Sequence, residues 1–257
     1  VLAALTSYAD EPAKDGKDSK DGWKARAGVG VIVKPEYDGA KDYRTLVTPM
    51  GELSWRRGWF EIGTSGISAW AIDTPDWQLG LKVGYDGGRE EKKGNGPFAS
   101  GSDKLRGMGK LEGTVEAGVF AEWSGLGAPI SFEVMRAPHN KGHGGTHGKL
   151  GLSLPMHQDK ELQIAAQLSL GWGDQRYNQA YYGVTEAQAS RTGRPVYTPK
   201  SGLNHFDAGL SGTWMLDQHW AATGMVGYSR LLGDAAKSPL TERKSGPVGM
   251  LGIGYNF

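Results

Sequence analysis

In stretch after stretch of this chain, every second residue is apolar. Trp77, Leu79, Leu81, Val83 and Tyr85 alternate with Gln78, Gly80, Lys82, Gly84 and Asp86. Leu111, Val115, Ala117, Val119, Ala121 and Trp123 alternate with Glu112, Thr114, Glu116 and Glu122. In the last stretch, Pro247–Phe257, one register holds Leu251, Ile253, Tyr255 and Phe257, and the other Val248, Met250, Gly252, Gly254 and Asn256. Successive side chains of a β-strand point to opposite faces, so a period of two means strands with one apolar face. One such strand could be the edge of a soluble sheet. The same pattern over 24–33, 43–55, 58–63, 67–73, 77–86, 111–123, 128–136, 148–154, 162–173, 203–216, 219–229 and 247–257 gives an all-β chain of about twelve strands, with ten as the alternative. Most run about ten residues, the length that crosses a bilayer at a tilt.

The connections add an independent constraint. Residues 56–57, 74–76, 124–127, 155–161 and 217–218 make short links, whereas 34–42, 87–110, 137–147, 174–202 and 230–246 make long ones. The link at 64–66 is short and breaks the alternation. Short turns on one rim and long loops on the other are the pattern of a single closed antiparallel transmembrane barrel with periplasmic turns and extracellular loops. An even strand count places both ends of the barrel on the short-turn side. Trp77 and Tyr85, Trp220 and Tyr228, with Trp55, Trp123 and Trp172, fall at the ends of apolar faces, where amphipathic rings favour the membrane–water boundary.

Composition agrees. Of 257 residues, 41 are Gly, 9 Trp and 10 Tyr, and only 38% are hydrophobic. That suits a polar interior with apolar residues on one face. No apolar run reaches the roughly 18 residues of a membrane helix. A net charge of +1 gives no nucleic-acid footprint. With no cysteine, disulfides and cysteine-based metal or nucleophile chemistry are excluded.

The inward face is expected to carry Arg26, Arg44, Glu52, Lys82, Asp86, Glu112, Glu116, Glu122, Glu133, Lys149 and Asp207. In a closed barrel these mixed charges line the lumen, with Glu112 and Glu116 paired to Arg26, Lys82 or Lys149. Residues 1–22 read as a separate lead-in. Val1–Leu5 followed by Ser7-Tyr8-Ala9 fits either the end of a signal peptide cleaved after Ala9 or an ordinary mature N-terminus. Residues 10–22 are charged and free of aromatics, as a flexible segment would be.

Four tyrosines, Tyr177, Tyr181, Tyr182 and Tyr197, sit in the longest link with Gly193 and Pro195. They form either a ligand or partner surface or, the favoured reading, a self-packed loop in the barrel mouth. His139, His143 and His147 have the spacing of a helical metal site, but Gly142, Gly144 and Gly145 make this a hairpin loop, and no metal site is expected. No histidine lies on an apolar strand face, which argues against an outer-membrane lipase. Neither catalytic residues nor a cofactor are expected, and the chain is read as a non-enzyme.

Several stretches together resemble the MipA/OmpV family of outer-membrane proteins. They are Val31–Tyr43, Leu105–Gly109, His143–Gly148, the loop from Trp172 to Ala189, Gly193–Tyr197, Tyr228–Asp234, Ser238-Pro239 and Tyr255–Phe257. The resemblance spans about residues 23–257, in order. It implies a monomeric barrel exported to the Gram-negative outer membrane behind a cleaved signal peptide, in contact with lipid and lipopolysaccharide. Some members resemble scaffolds that join a lytic murein transglycosylase to a bifunctional murein synthase. Others are described as porin-like channels or adhesins. The family has no catalytic motif to carry over. An aromatic end on an apolar-alternating strand resembles the signal read by the outer-membrane insertion machinery, which makes Tyr255 and Phe257 the expected assembly residues. Two functions follow as expectations: a scaffold acting through the short-turn rim and residues 1–22, or a channel for small solutes.

Overall fold

The computed structural model describes residues 23–55, 60–64, 66–94 and 101–257. Residues 1–22, and with them the expected lead-in, lie outside it. Twelve strands form one closed antiparallel barrel. They are β1 (Trp23–Pro35), β2 (Tyr43–Trp55), β3 (Phe60–Gly63), β4 (Gly66–Asp73), β5 (Trp77–Asp86), β6 (Thr114–Trp123), β7 (Ile130–Arg136), β8 (Thr146–Gln158), β9 (Leu162–Gly173), β10 (Gly202–Met215), β11 (Trp220–Leu231) and β12 (Ser245–Asn256). Each strand pairs with its neighbour in sequence, and β1 closes on β12 from Arg26↔Asn256 to Val33↔Gly249. The Phe257 amide donates to the Ala25 carbonyl at 2.9 Å and extends that seam. Closure leaves no edge strand whose backbone groups would go unpaired in lipid.

The alternation sorts the two faces. Val29, Val31, Val33, Leu81, Val83, Val115, Val119, Phe132, Leu150, Leu210, Val226, Leu251 and Ile253 all point outward and are exposed. So wide an apolar surface, spread over most of the strands, is what a bilayer requires and what water would penalise. Aromatic rings bound the band. Near the short turns, Trp77 packs on Trp123 (6.0 Å), Trp220 on Tyr255 (5.1 Å), Tyr255 on Phe257 (4.9 Å) and Trp23 on Phe60 (5.8 Å). Tyr85 and Tyr228 mark the opposite border, and both are exposed.

The lumen is walled unevenly. On β1, β11 and β12 the inward residues Ile32, Met225 and Met250 make an apolar cluster. On β4–β6, Trp70 meets Phe120 edge-on at 5.9 Å. Gly80 makes room for that pair, since a Cβ there would fall 2.5 Å from the Phe120 ring. On β7–β10 the wall is polar. Glu133 accepts from Lys82 at 2.6 Å, Ser211 Oγ from Gln167 at 3.0 Å, and Asp207 from Ser169 at 3.0 Å. Lys149, beside Glu133 in register, belongs to the same wall. Arg26 donates to Asn256 at 2.6 Å across the closing seam. Glu122 is half-buried on the inner face of β6.

Two charge expectations are corrected. Glu112 does not line the lumen, because the regular β5–β6 ladder starts at Asp86↔Thr114. Beyond it Leu111 makes only an isolated bridge to Arg89, and Glu112 faces solvent. Nor, among the described residues, does Glu116 pair with a lysine or arginine; its partners are His143 and His147, at the long-loop end of the barrel.

Candidate functional site

The long links fold into a plug across the mouth. Helix α1 (Gln175–Tyr182) starts on Asp174, whose side chain accepts from the Tyr177 amide and, at its other oxygen, from the Thr146 amide, both at 2.8 Å. The second contact fixes the helix to β8. Helix α2 (Glu186–Thr192) starts in a capping box made by Thr185 and Gln188 and ends at Gly193, with φ 71°. These caps hold two short helices that would be marginal alone. Asn178 donates to the carbonyls of Gly173 and Lys200 and accepts from Asn204, which pins α1 between β9 and β10.

The plug has its own core. Leu105, Met108, Val184 and Leu240 are each at most 2% exposed and come from three different links, with Tyr37, Ala189 and Tyr197 packed around them. Tyr182 buries against Leu231 and Ala235. The four tyrosines singled out in the sequence therefore fall into two groups. Tyr177 and Tyr181 lean on the lumen side, where their rings lie 4.9 Å apart. Tyr182 and Tyr197 hold the plug together, with Tyr197 donating to the Asp234 carbonyl at 2.8 Å.

A buried carboxylate straps the 87–113 link down. Glu36 accepts from Lys93 and from Ser102 Oγ, each at 2.6 Å, with Arg44 at 3.8 Å; Arg44 also donates to the Gly101 carbonyl. Burial pushes the Glu36 carboxyl up, but Lys93, Ser102 and Arg44 outweigh it and hold its pKa below the ordinary value. A depressed carboxyl stabilises the native state above its unfolded pKa, about 4.3, and the contribution is lost as pH falls through the folded value. Amide protection in residues 101–110, the exchange rate taken relative to the intrinsic rate at each pH, is therefore expected to fall below about pH 4.3, and Glu36→Gln is expected to lower it at neutral pH and flatten that dependence. Equal exchange in both proteins at pH 7 would show that the strap holds nothing.

Beneath α1, two imidazoles converge on one carboxylate. His143 Nε2 lies 2.7 Å from Glu116 Oε1; His147 Nε2 lies 3.0 Å from Oε1 and 3.2 Å from Oε2. Strand β6 supplies Glu116, β8 supplies His147, and the 137–145 link carries His143 inward. The His143 side chain is fully enclosed and that of Glu116 is 7% exposed. Tyr177 roofs the group, 4.9 Å from the His143 ring and 4.7 Å from the His147 ring. His139, grouped with these two by its spacing, instead lies outside the cluster against Arg176.

Comparison with known proteins identifies the family. A family model described as MltA-interacting protein MipA matches residues 27–257. The chain belongs to the MipA family. Its relatives include the MltA-interacting protein of Escherichia coli (strain K12), 23% identical over 237 residues, which cover 90% of this chain and 88% of that one. The MltA-interacting protein of Shigella flexneri matches with the same figures. Among solved structures, the COG4313 outer membrane channel from Pseudomonas putida F1 aligns over 96% of this chain and 99% of its own, with 10% identity and a TM-score of 0.41. The lipid-facing barrel and its family place this protein in the outer membrane. The stretches that carried the resemblance, above all Leu105–Gly109, His143–Gly148, Trp172–Ala189 and Gly193–Tyr197, build the plug and the cluster beneath it rather than the lipid face.

Proposed function

We propose that this MipA-family barrel is a closed outer-membrane anchor that presents its short-turn rim to periplasmic murein-degrading and murein-synthesising enzymes. The observation that carries this reading is the plug: Leu105, Met108, Val184 and Leu240 form a core across the outer mouth, which suits an anchor better than an open pore. The relatives' description as MltA-interacting proteins supports the same reading. On the short-turn rim, Leu126 and Met156 are 75% and 65% exposed and offer apolar contact points. Residues 1–22 precede β1 in sequence and carry Lys14, Lys17 and Lys20 interleaved with Asp15, Asp18 and Asp21.

The test is capture of a purified lytic murein transglycosylase by the barrel in detergent. Full-length chain is expected to bind, and deletion of residues 1–22 to weaken binding by about tenfold, or about 1.4 kcal/mol. Unchanged binding would move the contact to the turns; no binding by the full chain would remove the scaffold. A second reading, a small-solute channel, is favoured by Trp70 Nε1, Ser153 Oγ and Asp207 Oδ1. These atoms are buried in the barrel without a protein hydrogen-bond partner, and a hydrated lumen would satisfy them.

A further inference from the structure

We infer that Glu116, His143 and His147 form a binding site for a borderline divalent transition-metal ion, with Zn²⁺ as the model cation. The ligand atoms, one from each residue, all lie within 4.8 Å of one another. Bonds of about 2.0–2.2 Å to zinc place neighbouring ligand atoms a little over 3 Å apart, so the cluster needs only small side-chain adjustments to close around an ion. Two imidazoles and one carboxylate suit Zn²⁺ and its neighbours; Ca²⁺ and Mg²⁺ require more oxygen donors.

Charge points the same way. Glu116 is buried, and among the described residues its ion-pair partners are the two histidines alone. The surroundings are acidic as well. Asp86 accepts from the Tyr181 hydroxyl at 2.5 Å and Asp38 from the Tyr182 hydroxyl at 3.4 Å. The buried Arg89 guanidinium donates to the Tyr181 carbonyl at 2.7 Å rather than to Glu116.

One contact must change on binding, and the local sequence is built to let it. The Gly145 amide donates to His143 Nδ1 at 3.1 Å, which puts the neutral ring's proton on Nε2. A metal on Nε2 needs the opposite tautomer, with Nδ1–H donating to an acceptor. Turning over the peptide between Gly144 and Gly145 removes the amide and brings the Gly144 carbonyl to face Nδ1. Gly144 already sits at φ 58°, and two adjacent glycines make such a rotation inexpensive. The bound state thus keeps a hydrogen bond at His143 Nδ1 and exchanges the one between Nε2 and Glu116 for the bond to the metal, with the proton moved from Nε2 to Nδ1 and none released.

The experiment uses the untagged full chain in detergent, stripped with EDTA and titrated with Zn²⁺ by calorimetry. One ion per chain is expected, with a rise in thermal midpoint as the bound state is favoured. Glu116→Gln, which keeps the shape of the side chain and a hydrogen-bond acceptor, and His147→Ala are each expected to weaken binding by about 100-fold. His139→Ala and His157→Ala, at exposed positions, are expected to leave it unchanged. Heat-modifiable gel mobility checks that every variant holds its barrel. Anomalous diffraction at the zinc edge from the wild-type protein gives a second readout that needs no variant, with the peak expected between Glu116 and both Nε2 atoms. Absence of saturable uptake, uptake unchanged by Glu116→Gln, or a peak only at His139 or His157 would overturn the assignment.

Discussion

Arginine in place of Leu81 is expected to destabilise the barrel by about 2–4 kcal/mol, the cost measured for a cation on the lipid face at the membrane midplane. Leu81 is 63% exposed, on β5 midway between Trp77 and Tyr85. On a water-soluble sheet an exposed leucine could become arginine with a change within about 0.5 kcal/mol. The same substitution therefore separates a lipid-facing surface from a wet one. Leu126, 75% exposed in the short link between β6 and β7, supplies the control. Leu126→Arg lies beyond the aromatic border and is expected to be near neutral. Folding titrations in lipid vesicles, followed by tryptophan fluorescence, measure both. If Leu81→Arg costs no more than Leu126→Arg, the outward apolar face is not in the bilayer.

The barrel was legible because its signal is local and repeated. Each strand carries its own alternation, and the links show which rim is which without any knowledge of contacts. Even β3, only four residues long, is marked by its place between β2 and β4. The plug was only half legible. Gly193, Pro195 and the tyrosines suggested a self-packed loop, but two helices lie inside it, and their start signals, Asp174 and the Thr185–Gln188 capping box, are plain in the sequence. Their apolar period is unreadable because helices of eight and seven residues are shorter than the roughly 11–18 residues over which such a period stands out. The Glu116 cluster was not legible at all. Its members are 27 and 31 residues apart in pairing that only the β6–β7–β8 geometry brings about. The spacing of His139, His143 and His147 fits a helical repeat that a Gly-rich hairpin loop cannot form; the loop turns His139 outward and brings His143 and His147 against Glu116.

Opening the plug is expected to convert a silent barrel into a conducting one. Leu105 is fully buried and Val184 equally so, and none of the four core residues Leu105, Met108, Val184 and Leu240 belongs to a strand. Truncating a buried leucine costs about 2–5 kcal/mol, and a buried carboxylate without a partner costs more. Leu105→Asp combined with Val184→Asp therefore exceeds what so small a core supplies, while the twelve-strand ladder, which shares none of those side chains, keeps its pairing. In planar bilayers the native protein is expected to show no unitary steps and the double variant discrete ones, since the hydrated wall of Gln167, Ser169, Asp207 and Ser211 then opens to the outer solution. Steps from the native protein would make the channel reading the primary one. Silence from both would place the block deeper, where Trp70 and Phe120 meet across from Ile32, Met225 and Met250. The barrel would then be closed by its own walls, and the plug would be needed for what it holds, not for what it shuts out.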